Sequence, residues 1–230
     1  MECPRTLSFN ALVLVSTCLL LLVSCSDSGP EAAPPTGTKP TNSSVASSIP
    51  RAVDEAALRE AAVTGDVGTL RKLIDKGVNI NAADNEGRTA LTEAAFYGRT
   101  EAAKFLIEHD ADVFAKKKDG ETALTMAAGH KDIAEMIDRE IRLIEVAGKG
   151  DNKALQEFLD KDAYVNVRDP AGRTPLIEAT WYNHPETVKL LLAKGANPNA
   201  KKSDGVSPLA IAKGKGYHEI AEMLKTAGAK

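Results

Sequence analysis

An all-α repeat solenoid is the fold this 230-residue sequence predicts, and three observations carry the expectation. A turn of the form Gly-x-(Thr/Ser)-(Ala/Pro)-Leu occurs at Gly87, Gly120, Gly172 and Gly205, with the members of each pair 33 residues apart. Self-similarity at such a period marks stacked supersecondary units. A longer period of 85 lies over the first, aligning Gly65-Asp66 with Gly150-Asp151, Leu70 with Leu155 and Asn81 with Asn166. Third, aromatics make up 4% of a chain that is 43% hydrophobic, so the core has to close through many small aliphatic contacts. Stacked repeats do that well.

Ahead of the repeats stands an address. Ala11 to Val23 is apolar apart from Ser16 and Thr17. It is shorter than the roughly 20 residues a bilayer span needs and matches a signal-peptide hydrophobic region. Leu22-Val23-Ser24-Cys25 follows, and it resembles the lipobox of bacterial lipoproteins. That resemblance implies a signal peptide over 1–24, a diacylglyceryl group on the Cys25 sulfur and an acylated new amino terminus. Each buried methylene contributes about 0.8 kcal/mol, so several chains make a lasting anchor. Cys3 and Cys18 would leave with the signal, and no cysteine occurs from Ser26 to Lys230. The repeat region therefore has no disulfide, thiolate nucleophile or cysteine zinc site. By the sorting rule of enteric bacteria, Ser26 directs the lipoprotein to the outer membrane, facing the periplasm, if the source is Gram-negative. Residues 25–53, rich in Pro, Ser and Thr, read as a disordered spacer. Such a spacer reaches about 90 Å stretched and about 30 Å on average.

The repeats follow in order. Thr89, Thr122, Thr174 and Ser207 sit where a hydroxyl can cap a helix. Pro175 and Pro208 occupy the first helical position, where a missing N–H costs nothing. Ala94-Ala95 and Ala127-Ala128 give small faces for close helix approach, and Gly77, Gly98 and Gly195 end helices in left-handed turns. Asp110 and Asp162 replace that glycine in two repeats, which the conformation tolerates. Together these marks resemble the ankyrin repeat. The departure is the histidine after the turn, replaced by Thr92, Thr125, Ile177 and Ala210, which implies a weaker turn hydrogen bond. Residues 54–138 and 139–230 read as two three-repeat units, each opening on a helix without its own turn. No finger hairpin separates Ile137 from Ile141, so the last helix of one unit is expected to fuse with the first of the next, giving a kinked stack or two abutting triplets.

Little in the chain points to chemistry. The net charge of −3 gives no basic field for nucleic acid. His218-Glu219-Ile220-Ala221-Glu222 begins like a zinc-protease helix but has Glu where the second His belongs. Gly205-Val206-Ser207-Pro208 lacks the final glycine of a nucleophile elbow. Glu108, His109, Asp110 and Asp112 gather ligand-type groups at one turn and read as a solvated turn. The expectation is a non-enzyme without metal, cofactor or small-molecule substrate.

The ankyrin resemblance implies a binding surface on the fingers and first helices. Its variable positions carry Arg88, Phe96 and Tyr97 in the second repeat and Arg173, Trp181 and Tyr182 in the fifth. Trp, Tyr and Arg are the types that most often anchor interfaces. Lys116, Lys117, Lys118, Lys201 and Lys202 add positive charge at the fingers. The expected role is a lipid-anchored envelope protein that binds another protein. The alternatives are a structural element whose finger lysines touch anionic lipid or wall polymer, and a hydrolase with an unrecognised site.

Overall fold

The computed structural model describes residues 48–230, with side chains from 51 onward. The signal, lipobox and most of the spacer lie outside the described residues. Eleven α-helices occur among these: α1 (Ser48–Thr64), α2 (Val67–Asp75), α3 (Ala90–Phe96), α4 (Thr100–Glu108), α5 (Ala123–Met126), α6 (Lys131–Lys149), α7 (Asn152–Leu159), α8 (Pro175–Trp181), α9 (Pro185–Ala193), α10 (Pro208–Lys215) and α11 (His218–Thr226). A 3-10 turn, Ala127–Gly129, joins α5 to α6. The sole β feature among the described residues is one antiparallel bridge, Lys116 to Thr122, inside a finger. The all-α solenoid expected from the repeats is what the chain forms.

The helices pack as two rows. First helices touch in the order α1–α3–α5 and α6–α8–α10, and second helices as α2–α4–α6 and α7–α9–α11. Helix α6 belongs to both rows. Its first half is the second helix of repeat three, and its second half is the first helix of repeat four. The expected fusion is therefore present, as one 19-residue helix running through 138–141. The core does not divide there. One apolar cluster runs from Leu58 in α1 to Leu224 in α11, including Ile137, Leu143 and Ala147 of α6.

The turn chemistry follows the residues. Thr89, Thr122, Thr174 and Ser207 each accept the backbone N–H three residues on. Asp66 and Asp151 do the same for α2 and α7. Asp110 and Asp162 take φ of 66° and 60°, as the left-handed turn requires. Asn183, at 59°, is a third such residue.

Three expectations need correction. Helix α1 starts at Ser48, inside the stretch read as spacer through residue 53. Pro50 falls in the first turn of this helix, where proline is tolerated. Thr92 and Thr125 do not weaken the turn: each hydroxyl accepts the capping residue's backbone N–H at 2.8 Å, closing a reciprocal capping box. Only Ile177 and Ala210 lack that reciprocal bond, having no side-chain acceptor. Finally, Ala127 is buried but Ala128 is exposed, because α5 stops at Met126 and the chain tightens into the 3-10 turn.

Consecutive repeats are tied by a ladder of side-chain-to-backbone bonds. Asn81 accepts the Asp112 N–H at 2.8 Å, Asn166 that of Asn197 at 2.7 Å, and Asn199 that of Lys230 at 2.9 Å. At the join the finger that would carry such an Asn is missing. Glu140, in the middle of α6, takes over: its two oxygens accept the Tyr164 N–H at 3.0 and 2.9 Å. Glu140 lies on the apolar stripe of α6 and is 1% exposed. Burial pushes its carboxyl up from 4.5 to about 7, with Glu108 adding to the rise, while the Tyr164 N–H and Arg139 oppose it.

A carboxyl whose folded pKa is raised is stabilising while protonated. Its contribution is complete below the unfolded value of 4.5 and is lost as pH climbs through about 7. Urea titrations should therefore show the native chain losing stability on the order of 2–3 kcal/mol between about pH 5 and about pH 8. Glu140→Gln keeps an acceptor for the Tyr164 N–H and should flatten that dependence. An equally steep profile in the variant would show that Glu140 is not its source.

Candidate functional site

The two aromatic pairs sit at the ends of α3 and α8, in equivalent positions. Phe96, Tyr97, Trp181 and Tyr182 are 51%, 45%, 42% and 56% exposed, and Val53 is the one other large apolar side chain among the described residues left so open. The preceding turns of α3 and α8 are buried at Leu91, Ala94 and Ala95, and at Leu176, Ala179 and Thr180. Helical geometry then projects the following two residues outward. Phe96 and Tyr97 meet edge to face with ring centres 5.0 Å apart.

The second pair is partly engaged by its own stack. Lys215 of α10 donates to the Trp181 carbonyl at 3.1 Å and holds its ammonium 3.8 Å from the Trp181 ring centre. Lys202 lies 5.6 Å from the same ring. Tyr182 lies against Gly148 of α6, where an added Cβ would meet the ring at 3.5 Å. These contacts orient the rings without covering them, so a preorganised aromatic surface remains.

Arg88 and Arg173 are less free than the sequence implied. Arg88 Nε donates to Asp84 at 2.7 Å and sits 3.4 Å from Glu93. Arg173 Nε donates to Asp169 at 2.7 Å, and its Nη1 stands 2.8 Å from Glu178. Glu93 and Glu178 are buried, so each guanidinium spans its turn carboxylate and a helix carboxylate beneath. Although burial works against it, Asp84 is held below the usual carboxylate range by the Arg88 backbone and guanidinium. Both arginines keep an exposed edge, with side chains 47% and 44% open.

The finger lysines split into two groups. Lys117 Nζ is locked between Asp119 at 2.9 Å and Glu121 at 2.6 Å, and Lys202 pairs with Asp204 at 2.9 Å. The hydrogen bonds it donates to Glu121 and Asp119 raise the pKa of the Lys117 ammonium above its ordinary value. Lys116, Lys118 and Lys201 are exposed and have no carboxylate within salt-bridge distance among the described residues. At the acidic turn, His109 bonds the Phe105 carbonyl at 2.7 Å, Asp112 accepts the Phe114 N–H at 2.8 Å, and Asp110 accepts from the Tyr164 hydroxyl at 3.2 Å. No group of three potential metal ligands occurs among the described residues.

Trp181 is the chain's single tryptophan and so reports on this surface alone. Acrylamide should quench its fluorescence readily in the folded protein. Lys215→Met should shift the emission and lower stability by about 0.5–1 kcal/mol, the usual worth of a solvent-exposed cation–π pair. Slow quenching, close to that of a buried indole, would contradict the exposure.

Comparison with known proteins agrees with the architecture. A family model described as ankyrin repeats (3 copies) matches residues 55–141 and again 143–230. The chain is 35% identical over 95 residues to the putative ankyrin repeat protein YahD of Escherichia coli, covering 39% of this chain and 47% of that one. It is 36% identical over 78 residues to the 2-5A-dependent ribonuclease of Mus musculus, covering 34% of this chain and 11% of the enzyme. A B-cell lymphoma 3 protein homolog of Mus musculus is 34% identical over 101 residues, covering 40% and 22%. The chain thus spans less than half the length of each of these relatives. Since the family match takes in most of the chain in two three-repeat blocks, the chain belongs to the ankyrin-repeat family.

Proposed function

We propose that this protein is a tethered binding module: lipid on Cys25 holds it to a bacterial envelope membrane, and the repeat stack captures another protein through its fingers and first helices. Ankyrin repeats serve protein–protein interaction, and that role carries over from family membership. The observation that supports the particular face is the outward placement of Phe96, Tyr97, Trp181 and Tyr182, each more than 40% exposed in an otherwise ring-poor chain. Large exposed rings already oriented by neighbours lose little side-chain entropy on binding, which suits them as anchors. The half-open Arg173 lines one hollow with Trp181 and Tyr182.

Two measurements test this reading. Full-length protein, tagged and extracted in mild detergent, should retain an envelope protein that a Trp181→Ala, Tyr182→Ala double variant with native melting behaviour does not. Losing two interface anchors costs about 2 kcal/mol or more, hence about thirtyfold in Kd. Equal capture by both would move the interface away from these rings. Separately, Cys25→Ala should shift the protein from the membrane to the soluble fraction; unchanged membrane retention would remove the lipid anchor.

A further inference from the structure

The repeat stack lacks one finger, and the space it leaves has walls unlike those of any other finger contact in the molecule. Elsewhere adjacent fingers are joined through their backbones. Lys118 N–H donates to the Glu86 carbonyl at 3.0 Å, and Ser203 N–H donates to the Ala171 carbonyl at 2.9 Å. The four fingers therefore form two pairs, and the finger that would bridge them is replaced by the middle of α6.

Each wall of this gap has changed character. On one side Phe114 stands 33 residues after Asn81 and 85 before Asn199, at the position where those asparagines bond the next repeat. On the other side Pro170 holds the position of Lys118 and Ser203, whose N–H groups reach the preceding finger. A proline has no N–H to leave unpaired. Where the ladder would be polar, both walls are apolar. Between them lies a groove of about 620 Å³ whose apolar surface comes from Phe114, Ile141, Ile144, Pro170 and Tyr182.

The charges on the groove are paired among themselves. Glu145 bonds Lys149, and Arg173 bonds Glu178 and Asp169. Outside the groove lining, on the finger that continues from Phe114, Lys116 and Lys118 are exposed and have no carboxylate within salt-bridge distance among the described residues. The Asp119 carbonyl is the counterpart of Glu86 and Ala171, and among the described residues it receives no backbone N–H from a following finger.

We propose that this gap is a docking slot for a protruding loop of the partner protein, a loop with a large apolar residue at its tip and acidic residues beside it. The loop stands in for the absent finger. Its tip fills the groove between Phe114 and Pro170, a backbone N–H reaches the Asp119 carbonyl, and its carboxylates meet Lys116 and Lys118. This deepens the binding role proposed above and rests on it; Tyr182 is common to the slot and to the second aromatic pair.

Gly148 provides the test. It lies within α6 on the groove, and a Cβ there would make only ordinary contacts, 3.5 Å from Tyr182 and from Glu178. Gly148→Ala should leave the slot open, while Gly148→Leu should fill it, and both should melt at or above the native temperature because glycine is a poor helix residue. The probe is a phage-displayed library of short disulfide-closed loops, selected on the full-length protein in mild detergent. Selected loops should share an apolar tip with Asp or Glu beside it. They should bind the native and Gly148→Ala proteins alike, and lose about tenfold or more against Gly148→Leu and against a Lys116→Ala, Lys118→Ala double variant. A library that yields no loops, or loops that bind Gly148→Leu as tightly as the native protein, overturns the slot. An envelope protein held by Gly148→Leu but lost by the Trp181, Tyr182 double variant overturns the slot while leaving the binding function in place.

Discussion

A repeat of this kind cannot bury its own apolar faces, so everything depends on the spacing at which one repeat meets the next. Here that spacing is held by a bond of one type, a side-chain oxygen of one repeat accepting a backbone N–H of the following one. Asn81, Asn166 and Asn199 make it in the ordinary way. At the join the same bond is made by Glu140, reaching from a helix instead of a finger. The substitution keeps the Tyr164 N–H satisfied, as a half-buried backbone donor must be. It does so by placing an ionisable group where the ladder otherwise uses amides. The Nε of the adjacent Arg139 is buried without a hydrogen-bond partner among the described residues.

Much of this was legible in the sequence, for reasons that are local. A capping hydroxyl, a proline at the first helical position and an Asp in a left-handed turn depend only on a few neighbouring dihedrals, so Thr89, Pro175 and Asp110 could be read directly. The fusion of two helices was legible too, because a missing finger is a missing stretch of chain. Glu140 was not, although its signal was present: it falls on the helical stripe of Ile133, Ile137 and Ile144, where a charged residue has no ordinary place. What the sequence could not supply was the partner, a backbone N–H 24 residues on. Thr92 shows a related blind spot: the absence of the family's histidine implies a weaker turn hydrogen bond, yet a hydroxyl closes the turn as well.

The surface divides along the same line. Repeat register places Trp181 and Tyr182 off the core side, and their exposure depends on little else. The state of Arg173 or Lys117 depends on which carboxylate lies within reach, and turn acids at short range capture both. Charge counted along the sequence therefore overstates the charge offered to a partner. Of the five finger lysines, Lys117 and Lys202 are neutralised by acids of their own turns. The stack presents fixed rings framed by compensated ions, which favours close packing over long-range attraction.

Helix α6 carries a last consequence. In a linear array of repeats, cooperativity depends on how strongly neighbours are coupled, and a weak junction lets one end fray while the other stays folded. An element that belongs to two repeats cannot melt in one and persist in the other. The join without a finger is thus also the place where the chain is continuous helix for 19 residues. A slot left open there can be wide without acting as a hinge, and the two triplets are bound to unfold together.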